Sequence, residues 1–135
     1  MNETRDWPPK IPKRKLPADV LIHASRSTEE FYMLDVIKLK VEHPQVQALT
    51  IEHLNQNLGK IISLVKLVDY VQMTQQFINK QNFAELSCGC YAVGKWAWVK
   101  GKVFPLPEKI PYLGKPWLED ASNEIILNVK QQLGI

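Results

Sequence analysis

In the run between Leu58 and Phe77, apolar side chains outnumber polar ones over the first fourteen residues. Apolar side chains stand at 58, 61, 62, 64, 65, 67, 68 and 71, which satisfies helical spacing on more than one face. A single amphipathic stripe needs fewer. The spacing predicts a helix from Leu58 to Asn79, with Asn55-Gln56-Asn57 as its capping turn and Lys80-Gln81-Asn82 as its break. A helix this apolar must bury two sides, one against a sheet and one against a partner or another part of the chain.

The elements around it follow from periodicity and punctuation. Val20 to Ala24 is β-branched and apolar and follows Pro17, so it reads as a strand. Ser27 with Glu30 three residues on forms a capping box, and Phe31, Leu34, Ile37 and Val41 continue at helical spacing until His43-Pro44 ends the helix. Val46 to His53 reads as an inner strand, since neither of its faces is strongly polar. Phe83 to Tyr91 reads as a third strand and Lys95 to Lys100 as a fourth. Pro105, Pro107, Pro111 and Pro116 predict a surface loop over 105–116. A last helix is expected from Trp117 to Leu133, with strand as the alternative for Ile125 to Val129. The order implies an α+β fold: β-α-β-α-β-β, two helices on one face of a small mixed sheet, and a C-terminal extension. Three segments follow: a basic, Pro-rich arm over 1–17, a domain over 18–104, and the loop and helix over 105–135.

Charge is unevenly laid out. The arm has Arg5, Lys10, Lys13, Arg14 and Lys15 against Glu3 and Asp6, so it carries the whole net charge of +3 and leaves the rest neutral. Such an arm is either a phosphate-seeking tail or a solvated leader. No apolar run is long enough to span a membrane, which takes about 18 residues or more, and the polar start lacks the core of a secretory signal, so a nuclear or cytoplasmic location is expected. Cys88 and Cys90 are too close for an unstrained disulfide, and with His23, His43 and His53 scattered they make no zinc pattern. They read as small strand residues.

No catalytic motif is present: no Gly-x-Ser-x-Gly, no P-loop, no His-Glu-x-x-His. Glu29-Glu30, Asp35 and Glu119-Asp120 suit solvated helix faces, and nothing places a base beside either cysteine. The chain is therefore expected not to be an enzyme and to need neither cofactor nor metal. The sharper constellation is Lys95, Trp96, Trp98, Lys100 and Lys102, with Trp96, Trp98, Lys100 and Lys102 on one face of a regular strand. Tryptophans with interleaved lysines suit single-stranded RNA, where bases stack on rings and ammonium groups meet phosphates. The same rings could equally fill the core. Lys60, near the expected helix start, is a further phosphate candidate.

These residues resemble the Alba-like family of nucleic-acid-binding proteins over about residues 17 to 91. Asp19-Val20-Leu21-Ile22-His23 is similar to its first strand, Glu30-Phe31-Tyr32 to the opening of its first helix, and Leu49-Thr50-Ile51-Glu52 to its second strand. Ile61-x-x-Leu64-Val65-x-x-Val68-Asp69-Tyr70-Val71 is similar to its second helix, and Lys80-Gln81-Asn82-Phe83 to the break into its third strand. The arm is similar to that of the small Alba-like subunits of eukaryotic RNase P and RNase MRP. The family's glycine before the second helix is displaced here, with Leu58 at its place and Gly59 one later, and the preceding turn, His53 to Asn57, is longer and carries no Lys or Arg. The resemblance implies a nucleic-acid-binding protein, RNA before DNA, and an RNA-binding subunit of a ribonucleoprotein. It also implies a homodimer, or a heterodimer with another Alba-like chain, through Leu64, Leu67, Tyr70 and Met73. Contacts to nucleic acid would come from Lys13, Arg14, Lys15, Arg26, Lys60, Lys95, Trp96, Trp98, Lys100 and Lys102. The alternative is an assembly scaffold that has lost most nucleic-acid contacts.

Overall fold

A long antiparallel pair of strands organises the chain. In the computed structural model, which describes residues 2–25, 56–115 and 118–135, strand β3 runs from Lys60 to Gln72 and β4 from Trp96 to Pro111. β1 (Asn2–Arg5) lies on the outer side of β4 and β2 (Ala18–Ala24) on the outer side of β3, giving the order β1-β4-β3-β2 with every pairing antiparallel. Helices α1 (Gln75–Asn79) and α2 (Phe83–Cys88) connect β3 to β4, and α3 (Asn123–Leu133) ends the chain. The architecture is α+β, and among the described residues the sheet is antiparallel rather than mixed. The helix expected over 27–43 and the strand over 46–53 lie outside the described residues.

The segment expected to be the long helix is the central strand. Its apolar run meets helical spacing, but it also meets the demand of a strand buried on both faces, and Ile61, Ile62, Val65, Val68 and Val71 are β-branched. Gly59 sets the entry. Its φ of 71° is open to glycine at little cost, and the turn lets its N–H reach the Ala24 carbonyl (2.8 Å) while its own carbonyl accepts from the Tyr112 N–H (3.0 Å). β3 thus starts pinned between β2 and β4. The helix survives only as α1, capped by Thr74, whose hydroxyl accepts from the Phe77 N–H.

Two further expectations are corrected. Phe83 to Tyr91 is not a strand: Asn82 accepts from the Glu85 N–H (2.9 Å) and opens α2, so Cys88 is helical and Cys90 lies in the irregular segment beyond. Pro105, Pro107 and Pro111 lie within β4 rather than in a loop. Pro107 falls where the ladder bulges: Ser63 pairs with Pro105 and Ile61 with Ile110, so residues 106–109 stand against Ile62 alone, while Pro105 and Pro111 flank the bulge in register with Ser63 and Lys60. That bulge sends Leu106 into the core, and the Glu108 N–H donates to Gln132 Oε1 of α3. A second bulge falls at Gly101, where a Cβ would stand 2.8 Å from Val68 Cγ1, so only glycine lets the strands close.

The core lies between the sheet and α3. Ile61, Leu64, Leu106 and Val129 are buried together, with Leu21, Phe104, Ile110, Ile125 and Leu133 packed around them. α3 keeps the expected helical face but starts later than Trp117, because Ser122 caps it by accepting from the Ile125 N–H (3.3 Å). Among the described residues no helix is long and apolar enough to cross a membrane.

The arm is neither tail nor leader. Residues 2–5 form β1, and residues 6–17 cross from the β4 edge to the β3 edge before β2 begins. The crossing is bonded to the sheet. Trp98 Nε1 donates to the Trp7 carbonyl (3.0 Å), the Tyr70 hydroxyl to the Ile11 carbonyl (3.0 Å), and Lys13 Nζ to Asp69 Oδ1 (2.7 Å) and the Tyr70 carbonyl (2.6 Å). The Lys13 hydrogen bond, then the Tyr70 N–H, hold the Asp69 carboxyl below its usual range.

Candidate functional site

Residues 6–17, which form a strap across the sheet, and the two outer strands enclose a cleft of about 650 Å³, within the range of small-ligand sites. Its wall is apolar where Ile61, Leu64, Val65 and Leu67 of β3 face it, with Ile125 and Val129 opposite on α3. One end is polar. There β1 and β4 run side by side, so Glu3 pairs with Trp98, and Lys100 follows two residues later. Glu3 stands between two cations: Arg5 Nη2 is 3.4 Å from Oε1 and Lys100 Nζ is 3.6 Å from Oε2.

Burial makes this cluster unusual. The Lys100 side chain is only 11% exposed, so its charge is largely desolvated and relies on Glu3. Arg5 lies with its guanidinium carbon 5.4 Å from the centroid of the Trp98 ring, a cation–π arrangement, and its Nε is buried without a hydrogen-bond partner. Two buried donors and one carboxylate thus converge beside an apolar wall.

The far end carries His23 and Tyr112. His23 Nε2 lies 2.9 Å from the Tyr112 carbonyl, which in the neutral ring places the proton on Nε2 and the free lone pair on Nδ1. Tyr112 packs edge-on against the imidazole with centroids 5.7 Å apart and donates its hydroxyl to Glu119. That bond, the largest cause, together with burial and the Glu119 charge, raises the Tyr112 phenol.

The residues expected to meet nucleic acid are scattered by this arrangement. Trp98 is 6% exposed and belongs to the core, with its N–H already used by Trp7. Trp96 is half-buried, 6.1 Å centroid to centroid from Tyr70. Lys95 is held by Asp6 (3.0 Å), Lys13 by Asp69, and Lys102 sits 4.9 Å over the Phe104 ring. Arg14 and Lys15 are exposed on a short 3-10 turn, and Lys60 opens β3; none of the three forms an ion pair with a described residue. Arg26 lies outside the described residues.

The surface expected for dimerisation is used up within the chain. Leu67 is 2% and Met73 1% exposed, Leu64 is buried in the core, and Tyr70 is half-buried beneath the strap. Leu64 and Leu67 are buried because they lie in the central strand, whose exposed positions are instead Val68 and Gln72, so the segment presents no lateral helix face for a partner.

Sequence reasoning did not single out Glu3, Arg5 or His23 as site residues: the first two figured only as charges of the arm, and His23 only as a scattered histidine and a first-strand residue. A signal for the first was present: Asn-Glu-Thr-Arg alternates over too few residues to stand out as a strand at a chain end.

No protein-family model matches the chain. No curated protein matches it either.

Proposed function

We propose that this chain is a non-enzymatic nucleic-acid-binding protein, an RNA-binding subunit of a ribonucleoprotein, that takes single-stranded RNA with one unpaired base in the cleft. The observation that carries the reading is the convergence of Glu3, Arg5 and Lys100 at one end of an apolar cleft large enough for a nucleotide. A nucleobase offers donors and acceptors on one edge and an apolar face. The Glu3 carboxylate would accept from an amino or imino group, Arg5 and Lys100 would donate to a ring carbonyl, and the guanidinium plane over Trp98 would stack. The exposed cations Lys10, Arg14 and Lys15 would take phosphates, Lys10 directly at the cleft. This reading stands on the cleft and not on the Alba-like arrangement, whose second helix falls on β3.

Fluorescence anisotropy with a labelled single-stranded RNA tests it. We expect binding at low ionic strength with a log–log salt slope of about −2, from roughly three neutralised phosphates. Replacing Lys10, Arg14 and Lys15 by alanine should flatten the slope, and Lys100→Met should weaken binding while leaving most of it. No binding at low salt, or duplex DNA bound as well as single-stranded RNA, overturns the proposal.

A further inference from the structure

The outer edge of β1 is held by residues 81–91. Asn2 Nδ2 donates to Gln81 Oε1 (3.1 Å) and to the Tyr91 hydroxyl (3.2 Å), and the Asn2 N–H donates to Glu85 Oε2 (3.1 Å). The Cys90 N–H donates to Thr4 Oγ1 (2.8 Å). Gly89 packs so tightly here that a Cβ would stand 2.8 Å from the Tyr91 ring and 2.9 Å from Thr4 Cγ2. On either side of that glycine are the two cysteines, both reduced and both exposed. Lys95 Nζ lies 3.3 Å from Cys90 Sγ. β1 in turn carries Glu3 and Arg5 to the polar end of the cleft.

We infer that Cys88 and Cys90 form a thiol–disulfide switch that sets the docking of β1 and, through Glu3 and Arg5, the RNA affinity of the cleft. The link to RNA rests on the function proposed above; the link to β1 does not.

The geometry supplies the lever. Gly89 is extended, with φ −142° and ψ 167°, which keeps the flanking Cα atoms near the full two-residue reach of about 7 Å. A disulfide brings Cα atoms to about 4.4–6.8 Å. Closing the bond therefore folds the chain at Gly89, draws the glycine off Thr4 and Tyr91, and turns the Cys90 N–H away from Thr4. β1 has only four residues, so losing the Thr4 anchor loosens its outer edge and leaves it held mainly by β4, through the ladder and the Glu3–Lys100 and Arg5–Trp98 contacts.

The oxidant is hydrogen peroxide. Cys90 Sγ attacks one peroxide oxygen, the O–O bond breaks, and the departing oxygen leaves as water with the thiol proton; Cys90 becomes a sulfenic acid. Cys88 Sγ then attacks the Cys90 sulfur, the S–O bond breaks, and the hydroxyl leaves with the Cys88 proton as a second water. Two thiols are oxidised and one peroxide is reduced. The order follows from surroundings: Lys95 lies against Cys90, while burial, and then the charge of Glu85, push the Cys88 thiol up.

The test uses the full chain, reduced or treated with hydrogen peroxide. Intact mass and peptide mapping read the bond, hydrogen exchange reads β1, and anisotropy with a single-stranded RNA reads the cleft. We expect loss of two hydrogens in an 88–90 peptide, exchange over residues 2–5 faster by roughly tenfold, and weaker RNA binding, all reversed by dithiothreitol and absent from Cys88→Ser and Cys90→Ser. Oxidation that stops at sulfinic acid, bonds only between chains, or closes the bond with exchange over 2–5 unchanged overturns the switch. If no RNA binds in either state, the proposed function fails while the exchange result still decides the switch.

Discussion

Replacing Glu3 by glutamine should destabilise the fold although no core atom is lost. The substitution keeps the size of the side chain and removes the charge between Lys100, at 3.6 Å, and Arg5, at 3.4 Å. At an effective dielectric of about 20 the Lys100 pair alone attracts with about 4–5 kcal/mol before desolvation is counted. Glu3 is about one-third exposed, and so is Arg5, so the Arg5 pair is screened and contributes little. Lys100 is different, because its nearly buried ammonium has no other acidic partner among the described residues. A net loss of about 1–2 kcal/mol is expected, which in a domain of this size lowers Tm by roughly 3–7 °C. Urea and thermal unfolding of Glu3→Gln, Lys100→Met and the double variant measure it. The double variant should be more stable than Glu3→Gln alone, since no stranded cation remains, with a coupling of at least about 1 kcal/mol. Additive effects, or a Glu3→Gln protein as stable as the parent, refute the reasoning.

Three further outcomes follow from the same geometry. Gly114→Ala should cost about 1–3 kcal/mol in thermal unfolding, because a Cβ there overlaps the His23 imidazole. Leu67→Ala and Met73→Ala should each cost about 2–5 kcal/mol and leave the sedimentation behaviour unchanged, since both side chains are core and not interface. Burial, the largest cause, pushes the Tyr91 phenol up to about 12. The folded state therefore keeps its proton where the unfolded chain, with a pKa of about 10, has lost it, so stability is full below about pH 10 and falls as pH rises toward 12. Urea midpoints across that window should decline, and Tyr91→Phe should flatten the decline.

Part of this architecture is written openly in the residues. β2 follows Pro17 with consecutive apolar and β-branched side chains, and the strand through Trp96 and Trp98 alternates as strands do. Ile125, Val129 and Leu133 recur at helical spacing, and α3 is where they put it, shortened by the cap at Ser122. β3 was illegible for a physical reason. A run with apolar residues on both faces satisfies periods of 3.6 and 2.0 at once, and only β-branching separates the two. Proline composition hides the strand through Pro105, Pro107 and Pro111, because only Pro107 lies in the bulge at residues 106–109 and the other two sit in the ladder on either side of it. The cleft was illegible because it is assembled from distant parts of the sequence: Glu3 and Arg5 meet Lys100 only once β1 has docked on β4. The basic arm promised free charge, yet Lys13 is consumed by Asp69, and an acidic partner 56 residues away cannot be read from local composition.

Backbone amide chemical shifts, followed while a short single-stranded RNA is titrated into the protein, test the central claim most directly. The expected result is saturable change concentrated at Glu3, Arg5, Lys10, Trp98 and Lys100, the residues gathered at one end of the cleft. Changes confined to Arg14 and Lys15 on the outer turn, or none at all, would contradict it.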